Sequence, residues 1–340
     1  MNRKVAIVGC GGIAQVHARA LGALEGAELC AFVDCKPERA EQMAAQYGKG
    51  RAKTYGSLGE MLAAEHPQVV HICTPHALHV PMAMEVLEGG GSVFMEKPPA
   101  ISTEQFAQLE QTLAGSCGKL GVCFQNRYNS STRKVDELLR EGRLGEIRGG
   151  RAFVTWNRNA AYYQNSDWRG NWETEGGGAL INQSIHALDL LLRWLGEPEV
   201  VEASMKNHHL QGVSEVEDTV EAFLGFSHGK RACFYATTAY VADSPVLIEL
   251  VCEKGSIRLE GETVTVVYAQ SGEAVFRLKA GEATGKSYWG SGHAACIGDF
   301  YRSLEEKTPY ANDLASVSAT LRVMMRMYQS AGMRPQEYER

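Results

Sequence analysis

Three short stretches of this chain carry residue types in an order that chemistry requires. The first is Gly9-Cys10-Gly11-Gly12-Ile13-Ala14, which directly follows the apolar run 5–8. Small residues at 9, 11 and 14 fit the pattern G-x-G-x-x-G/A. Gly9 permits a tight turn, Gly11 lets the backbone approach a pyrophosphate, and Ala14 lets the next helix pack closely on the strand. The phosphates then meet the positive end of that helix. Asp34 closes a second apolar run, 29–33, and stands 20 residues beyond Ala14. An acid there accepts hydrogen bonds from the adenosine ribose and repels a 2′-phosphate, which favours NAD over NADP. Lys36 and Arg39 lie nearby and partly offset that repulsion.

The second stretch is a pair of strand ends. In open α/β sheets, ligands bind where the strands finish. Thr74-Pro75-His76-Ala77-Leu78-His79 follows the run 69–73, and Glu96-Lys97-Pro98-Pro99 follows 93–95. The expected cofactor contacts are therefore Gly9, Gly11, Gly12, Ile13, Asp34, Thr74, Pro75, His76, His79, Glu96 and Lys97. Pro98 biases Lys97 towards an extended backbone. Burial beside a cationic nicotinamide should lower the lysine pKa, suiting proton donation or polarisation of a carbonyl. The alternative is a surface lysine paired with Glu96. His76 and His79 have metal-pair spacing but lack a third ligand, so His79 reads as a cap for the helix it begins. His208-His209 reads as loop, and no metal is expected.

The third stretch is a helix at 178–194, preceded by Gly176-Gly177 and apolar around most of its surface, hence buried. Asn182, His186, Asp189 and Arg193 fall at i, i+4, i+7 and i+11, one stripe along one side. Buried polar groups need partners, so the stripe must meet a polar surface or a cleft. A neutral His186 held by a carboxylate, with Asp189 the candidate, suits removal of a hydroxyl proton.

These residues need a scaffold. Up to about residue 124, short apolar runs alternate with helical patterns, which indicates a parallel sheet covered on both faces. Ser57 and Glu60 form a capping box at the start of a helix over 57–64. Beyond 124 the rhythm changes to consecutive strand patterns with tight turns, 147–155 and six runs between 200 and 268, implying a largely antiparallel sheet. The stretch 156–175 reads as irregular and rich in aromatic residues. The expected architecture is an α/β Rossmann domain with a doubly wound parallel sheet, plus a C-terminal α+β domain with a large, mostly antiparallel open sheet. The boundaries are 1–123 and 124–340, the C-terminal helix able to pack back on the first domain.

Bulk properties agree. At 340 residues two domains are the default. Hydrophobic residues make up 44% and charged residues 22%, close to ordinary globular composition. A net charge of -6 and a pI of about 6.0 argue against a nucleic-acid or anionic-membrane binder. No apolar stretch approaches the roughly 20 residues that span a bilayer. The run 5–8 is too short for a signal peptide, which points to the cytoplasm. Nine cysteines, odd in number and without a Cys-x-x-Cys pair, do not form a disulfide framework. Cys30, Cys73, Cys233 and Cys252 are expected in apolar surroundings.

Taken together, the chain resembles the Gfo/Idh/MocA family of sugar and polyol oxidoreductases over essentially its whole length. The marks are the glycine turn with His17, Thr74-Pro75 with His79, Glu96-Lys97-Pro98 and the glycine-rich helix carrying His186. Gln125-Asn126-Arg127-Tyr128, Trp168-Arg169 and His293-x-x-x-Ile297-x-Asp299-Phe300 add to them. The resemblance implies that Lys97 is the catalytic lysine and His186 the acid/base. It also implies a substrate cleft lined by Asn126, Arg127, Trp168, Arg169, Asn182 and His186, and a homodimer or homotetramer formed through the open sheet. Relatives resembling inositol dehydrogenases carry Asp four residues before the catalytic His; Asn182 stands there here and cannot take up a proton. That moves the expected substrate from inositol towards a glycoside. The implied activity is reversible NAD-dependent hydride transfer at a secondary ring hydroxyl of a sugar, glycoside or cyclitol, often at carbon 3. Two alternatives stay open: a glycosidase or lyase that retains NAD and acts by transient oxidation, and a non-enzymatic dinucleotide-binding regulator. Pocket shape is expected to depend on 156–175 and on Tyr288-Trp289.

Overall fold

A computed structural model describes residues 3–270, 272–278 and 292–333; Tyr288-Trp289 lie outside the described residues. The chain divides into two compact units, Met1–Gln125 with Glu282–Val317, and Asn126–Gly281 with Ser318–Arg340.

The first unit carries strands β1 (Arg3–Val8), β2 (Ala27–Val33), β3 (Lys53–Tyr55), β4 (Val69–Ile72), β5 (Ser92–Met95) and β6 (Leu120–Val122). They pair in the order β3-β2-β1-β4-β5-β6, every neighbour parallel. Between them run helices α1 (Gly12–Gly22), α2 (Pro37–Tyr47), α3 (Leu58–Glu65), α4 (His79–Glu88) and α5 (Thr103–Gly115). This is the doubly wound order, whose reversal between β1 and β4 opens a crevice at the carboxyl ends of the strands. Val5, Ala6, Ile7, Val70, Val93 and Phe94 are wholly buried, as strands covered on both faces must be. The Ser57 hydroxyl accepts from the Glu60 N–H at 3.3 Å, one half of the expected capping box. Strand β3 is polar and exposed at the sheet edge, so no apolar run announces it.

The second unit begins with α6 (Ser130–Arg140) and β7 (Ile147–Thr155). Two short helices follow inside the stretch expected to be irregular, α7 (Ala160–Gln164) and α8 (Trp172–Glu175). Ala179–Ser184 is a π-helical turn that leads into α9 (Ile185–Leu195). Then come β8 (Val200–Lys206), β9 (Thr219–Gly225), β10 (Arg231–Thr237), β11 (Leu247–Cys252), β12 (Gly255–Glu260), β13 (Thr263–Tyr268) and β14 (Gly272–Arg277). The sheet order is β14-β13-β12-β11-β7-β10-β9-β8, antiparallel except for β7 with β10. One face buries Ala152, Val154, Leu224, Phe234, Ile248 and Leu250, and α9 packs on that side through Leu191 against Gly150. The opposite face is open. Cys233, expected to be buried, is exposed there because strand alternation turns it away from Ala232 and Phe234.

The chain then returns to the first unit through α10 (His293–Glu306), which packs on α1, and the start of α11 (Leu314–Ser330). Gly121 of β6 lies so close to the rings of Phe300 and Tyr310 that a Cβ there would meet them at 2.7 and 2.8 Å. The Val122 N–H donates to the Asn312 carbonyl at 2.9 Å, and Asp313 bridges Gly121, so the free edge of β6 is covered. Among the described residues no helix is long and apolar enough to cross a membrane.

Candidate cofactor and substrate site

The glycine turn is set by contact distances. Gly9 has φ +84°, and a Cβ there would lie 2.6 Å from the Cys73 carbonyl oxygen at the end of β4. Among the described residues Gly11 and Gly12 face nothing within 4 Å, which leaves the approach to the start of α1 open. No side chain caps that helix, so its first N–H groups point outward unclaimed by a cap. Asp34 is 8% exposed; one carboxylate oxygen accepts from the Cys10 N–H at 2.8 Å and the other from the Lys36 N–H at 2.9 Å. The acid is thereby fastened to the turn it must serve. Burial and the Asp34 charge push the Cys10 thiol up to about 12, so it stays neutral beside the carboxylate.

His79 does more than begin α4. Its Nδ1 lies 2.8 Å from the Pro98 carbonyl and its Nε2 3.0 Å from the Thr74 carbonyl, so one buried ring ties the loop after β4 to the loop after β5. The Lys97–Pro98 peptide bond is cis. Lys97 itself is half-buried, and its backbone N–H donates to Glu96 Oε2 at 3.3 Å. Glu96 turns inward and meets His17 Nε2 at 3.0 Å. The His17, Glu96 and Cys123 ligand atoms lie within 4.8 Å of one another, a grouping small enough for a metal; the direct contact between imidazole and carboxylate already engages two of the three. The Thr74 hydroxyl, at the end of β4, is buried without a hydrogen-bond partner among the described residues. An orphaned donor, an open helix start and a tethered acid together fit a dinucleotide.

In the second unit the expected stripe separates. The π turn adds residues per turn ahead of α9, so positions 182 and 186 do not follow α-helical spacing. Asn182 donates to Glu175, which also accepts from the Gly170 N–H. Asp189 is not the partner of His186: it accepts from Arg127 Nε at 2.7 Å, from Arg127 Nη2, and from the Thr320 hydroxyl at 2.8 Å. Arg193 leaves the stripe for Asp136 at 3.0 Å. Arg127 is thus held in a buried ion pair, while the Asn126 carbonyl accepts from the Thr132 hydroxyl at 2.7 Å. Arg169 stacks on Tyr162 and Trp168, at 4.5 and 4.9 Å from the ring centres.

Several groups at these sites escaped the sequence reading. Glu175 and Glu217 are both buried, and burial pushes each carboxyl up to about 7 against the hydrogen bonds that favour the charged form. Glu217 accepts from the Gly178 and Leu180 N–H groups at 2.9 Å and from the Tyr328 hydroxyl at 2.9 Å, which anchors the glycine-rich turn. A Cβ at Gly178 would lie 2.1 Å from the Glu217 carbonyl. Three successive glycines beside an acid were the available signal.

The family model described as "Oxidoreductase family, NAD-binding Rossmann fold" matches residues 3–124, and the "GFO/IDH/MocA C-terminal domain" matches 132–258. The chain belongs to the GFO/IDH/MocA family. Its first unit is the family's NAD-binding Rossmann domain. D-glucoside 3-dehydrogenase of Escherichia coli (strain K12) is 35% identical over 214 residues, covering 62% of this chain and 58% of that protein, less than two thirds of its length. Inositol 2-dehydrogenase of Rhizobium meliloti (strain 1021) is 25% identical over 280 residues, covering 82% and 81%. The crystal structure of the WlbA dehydrogenase from Bordetella pertussis, in complex with NADH and UDP-GlcNAcA, superimposes with a TM-score of 0.84 at 28% identity, covering 98% of this chain and 97% of that one.

Proposed function

We propose that the protein reversibly oxidises a secondary ring hydroxyl of a sugar or glycoside, at carbon 3, with NAD. The observation that carries this reading is Lys97, held at the carboxyl end of β5 by a ring that clamps both neighbouring loops. The 35% identity to a D-glucoside 3-dehydrogenase supports the substrate class. NAD, when bound, supplies the acceptor for a hydride. Gly11, Gly12 and the first turn of α1 cradle its phosphates, and Asp34 takes the ribose hydroxyls. His186 accepts the hydroxyl proton, and Lys97 stabilises the alkoxide as it develops. Asn182 cannot receive that proton; tethered to Glu175, it orients a neighbouring hydroxyl instead. Arg169, Trp168, Asn126 and Arg127 shape the sugar site.

The protein works in the cytoplasm as a homo-oligomer. Nine free thiols suit a reducing compartment, and the open sheet face supplies the assembly surface. A screen of glycosides and cyclitols with NAD and with NADP, followed by absorbance of the reduced cofactor and NMR of the product, tests the activity. Lys97→Ala is expected to lower kcat by roughly 10²-fold or more. Wild-type turnover by the Lys97→Ala protein would overturn the assignment.

A further inference from the structure

Beside Lys97 the Rossmann unit buries more hydrogen-bonding groups than a cofactor turn needs. Side chains from three elements and from the loop after β5 stand in series. The Tyr301 hydroxyl of α10 lies 3.0 Å from His71 Nε2 of β4, His71 Nδ1 lies 2.9 Å from His17 Nδ1 of α1, and His17 Nε2 lies 3.0 Å from Glu96 Oε1. All four residues are buried. Cys73 Sγ stands 3.5 Å from His17 Nδ1 and adds a weak contact at the same nitrogen.

Counting protons gives the series a direction. An ionised Glu96 only accepts, so His17 carries its proton on Nε2. A neutral His17 then has a bare Nδ1, and the contact with His71 is filled only if His71 Nδ1–H donates. His71 Nε2 is left as an acceptor, and the Tyr301 O–H supplies it. Every donor points towards Glu96. The opposite order would protonate Glu96 and strip the buried Tyr301 O–H of its acceptor among the described residues, at a cost of about 1–3 kcal/mol.

We propose that Tyr301, His71 and His17 are positioning residues that keep Glu96 an anion, and that Glu96 in turn holds Lys97 in its ammonium form. The second half rests on the reading of Lys97 given above. The electrostatics of the surroundings agree. Burial and the neighbouring His17 push His71 well below the ordinary imidazole range, and burial pushes the Tyr301 hydroxyl up. Burial alone would raise Glu96; its hydrogen bond to His17, ahead of the electrostatic pull of its neighbours, outweighs that and holds the carboxyl well below its usual range. Burial disfavours the charged form of the other titratable groups facing Glu96. Burial lowers His79, and lowers His293 to about 4, while it raises the thiols of Cys73 and Cys123.

Two readouts on the full-length protein test this without any sugar. Nitrogen-15 NMR of labelled histidines should find the Nε2–H form of His17 and the Nδ1–H form of His71. Competitive acetylation of Lys97, followed by mass spectrometry, should give a reactivity curve that moves to lower pH in Glu96→Gln and in His17→Leu. A shift of one pH unit is about a tenfold gain in labelling at neutral pH. His17→Gln keeps an N–H for Glu96 and should stay near wild type. A proton on His17 Nδ1, or an unchanged Lys97 curve in Glu96→Gln, overturns the proposal. Should His17→Leu fail to fold, the wild-type spectra and Glu96→Gln still decide. Failure of the dehydrogenase reading would appear separately, as no reduced cofactor from any glycoside.

Discussion

At the scale of single residues, the glycine turn is governed by one contact. A side chain at position 9 must adopt φ +84° and lie 2.6 Å from the Cys73 carbonyl oxygen. Gly9→Ala is therefore expected to cost about 2 kcal/mol or more in stability and to weaken NAD binding at least roughly tenfold, because either β4 or the turn must shift. Calorimetric titration with NAD, alongside thermal unfolding, checks both parts. The Gly9 turn and the acid that fastens to it were legible because residue size and charge at fixed spacing announce them. His71 was not singled out, although a lone histidine inside the run 69–73 was a signal that its strand buries a polar partner. The partners themselves, His17 and Tyr301, come from elements far away in the chain, and no spacing rule connects them.

At the scale of elements, the strands that read clearly are those with a buried face. Strands β1, β2, β4 and β5 are apolar runs because both faces of the sheet are covered. Strands β3 and β14 lie at edges with little buried surface, and they carry no such pattern. The helix at 178–194 was legible as buried, but its hydrogen-bond register was not: a π turn and an α-helix have the same composition. The polar stripe inferred from uniform helical spacing therefore dissolved into separate pairs. What holds the π turn is Glu217, whose carboxyl burial pushes up to about 7. A folded-state pKa above the ordinary carboxylate value means that the folded protein binds more protons than the unfolded chain between the two values. Stability contributed there is complete below about pH 4.5 and is lost as pH rises through about 7. For Glu175 and Glu217 the loss is on the order of 3 kcal/mol each. Thermal unfolding should show a falling midpoint from about pH 5 to about pH 8, and Glu217→Gln should fall less steeply from a lower start. An equal slope in that variant would remove Glu217 as the cause.

At the scale of the whole molecule, the open sheet face is the surface we propose for assembly. One row crosses it strand by strand: Phe223, Cys233, Arg151, Glu249, Arg258 and Thr265 face their neighbours in register. Phe223 and Val251 are 43% and 50% exposed, and Arg151 pairs with Glu249 near the middle. Exposed apolar side chains on either side of a central ion pair suit a second copy of the same surface. Phe223→Lys should leave the monomer fold intact and shift the protein towards monomer in light scattering after gel filtration. An unchanged mass would place the interface elsewhere. The return of the chain to β6 has a further consequence, one of timing on the ribosome. Phe300, Tyr310 and Asn312, which close over Gly121 and Val122, are made long after β6 itself. At about 5–20 residues per second the nascent sheet waits roughly 10–40 s with that edge uncovered. In that interval it offers a free strand to chaperones or to a neighbouring nascent chain, and a fragment ended near residue 125 should aggregate where the full chain folds.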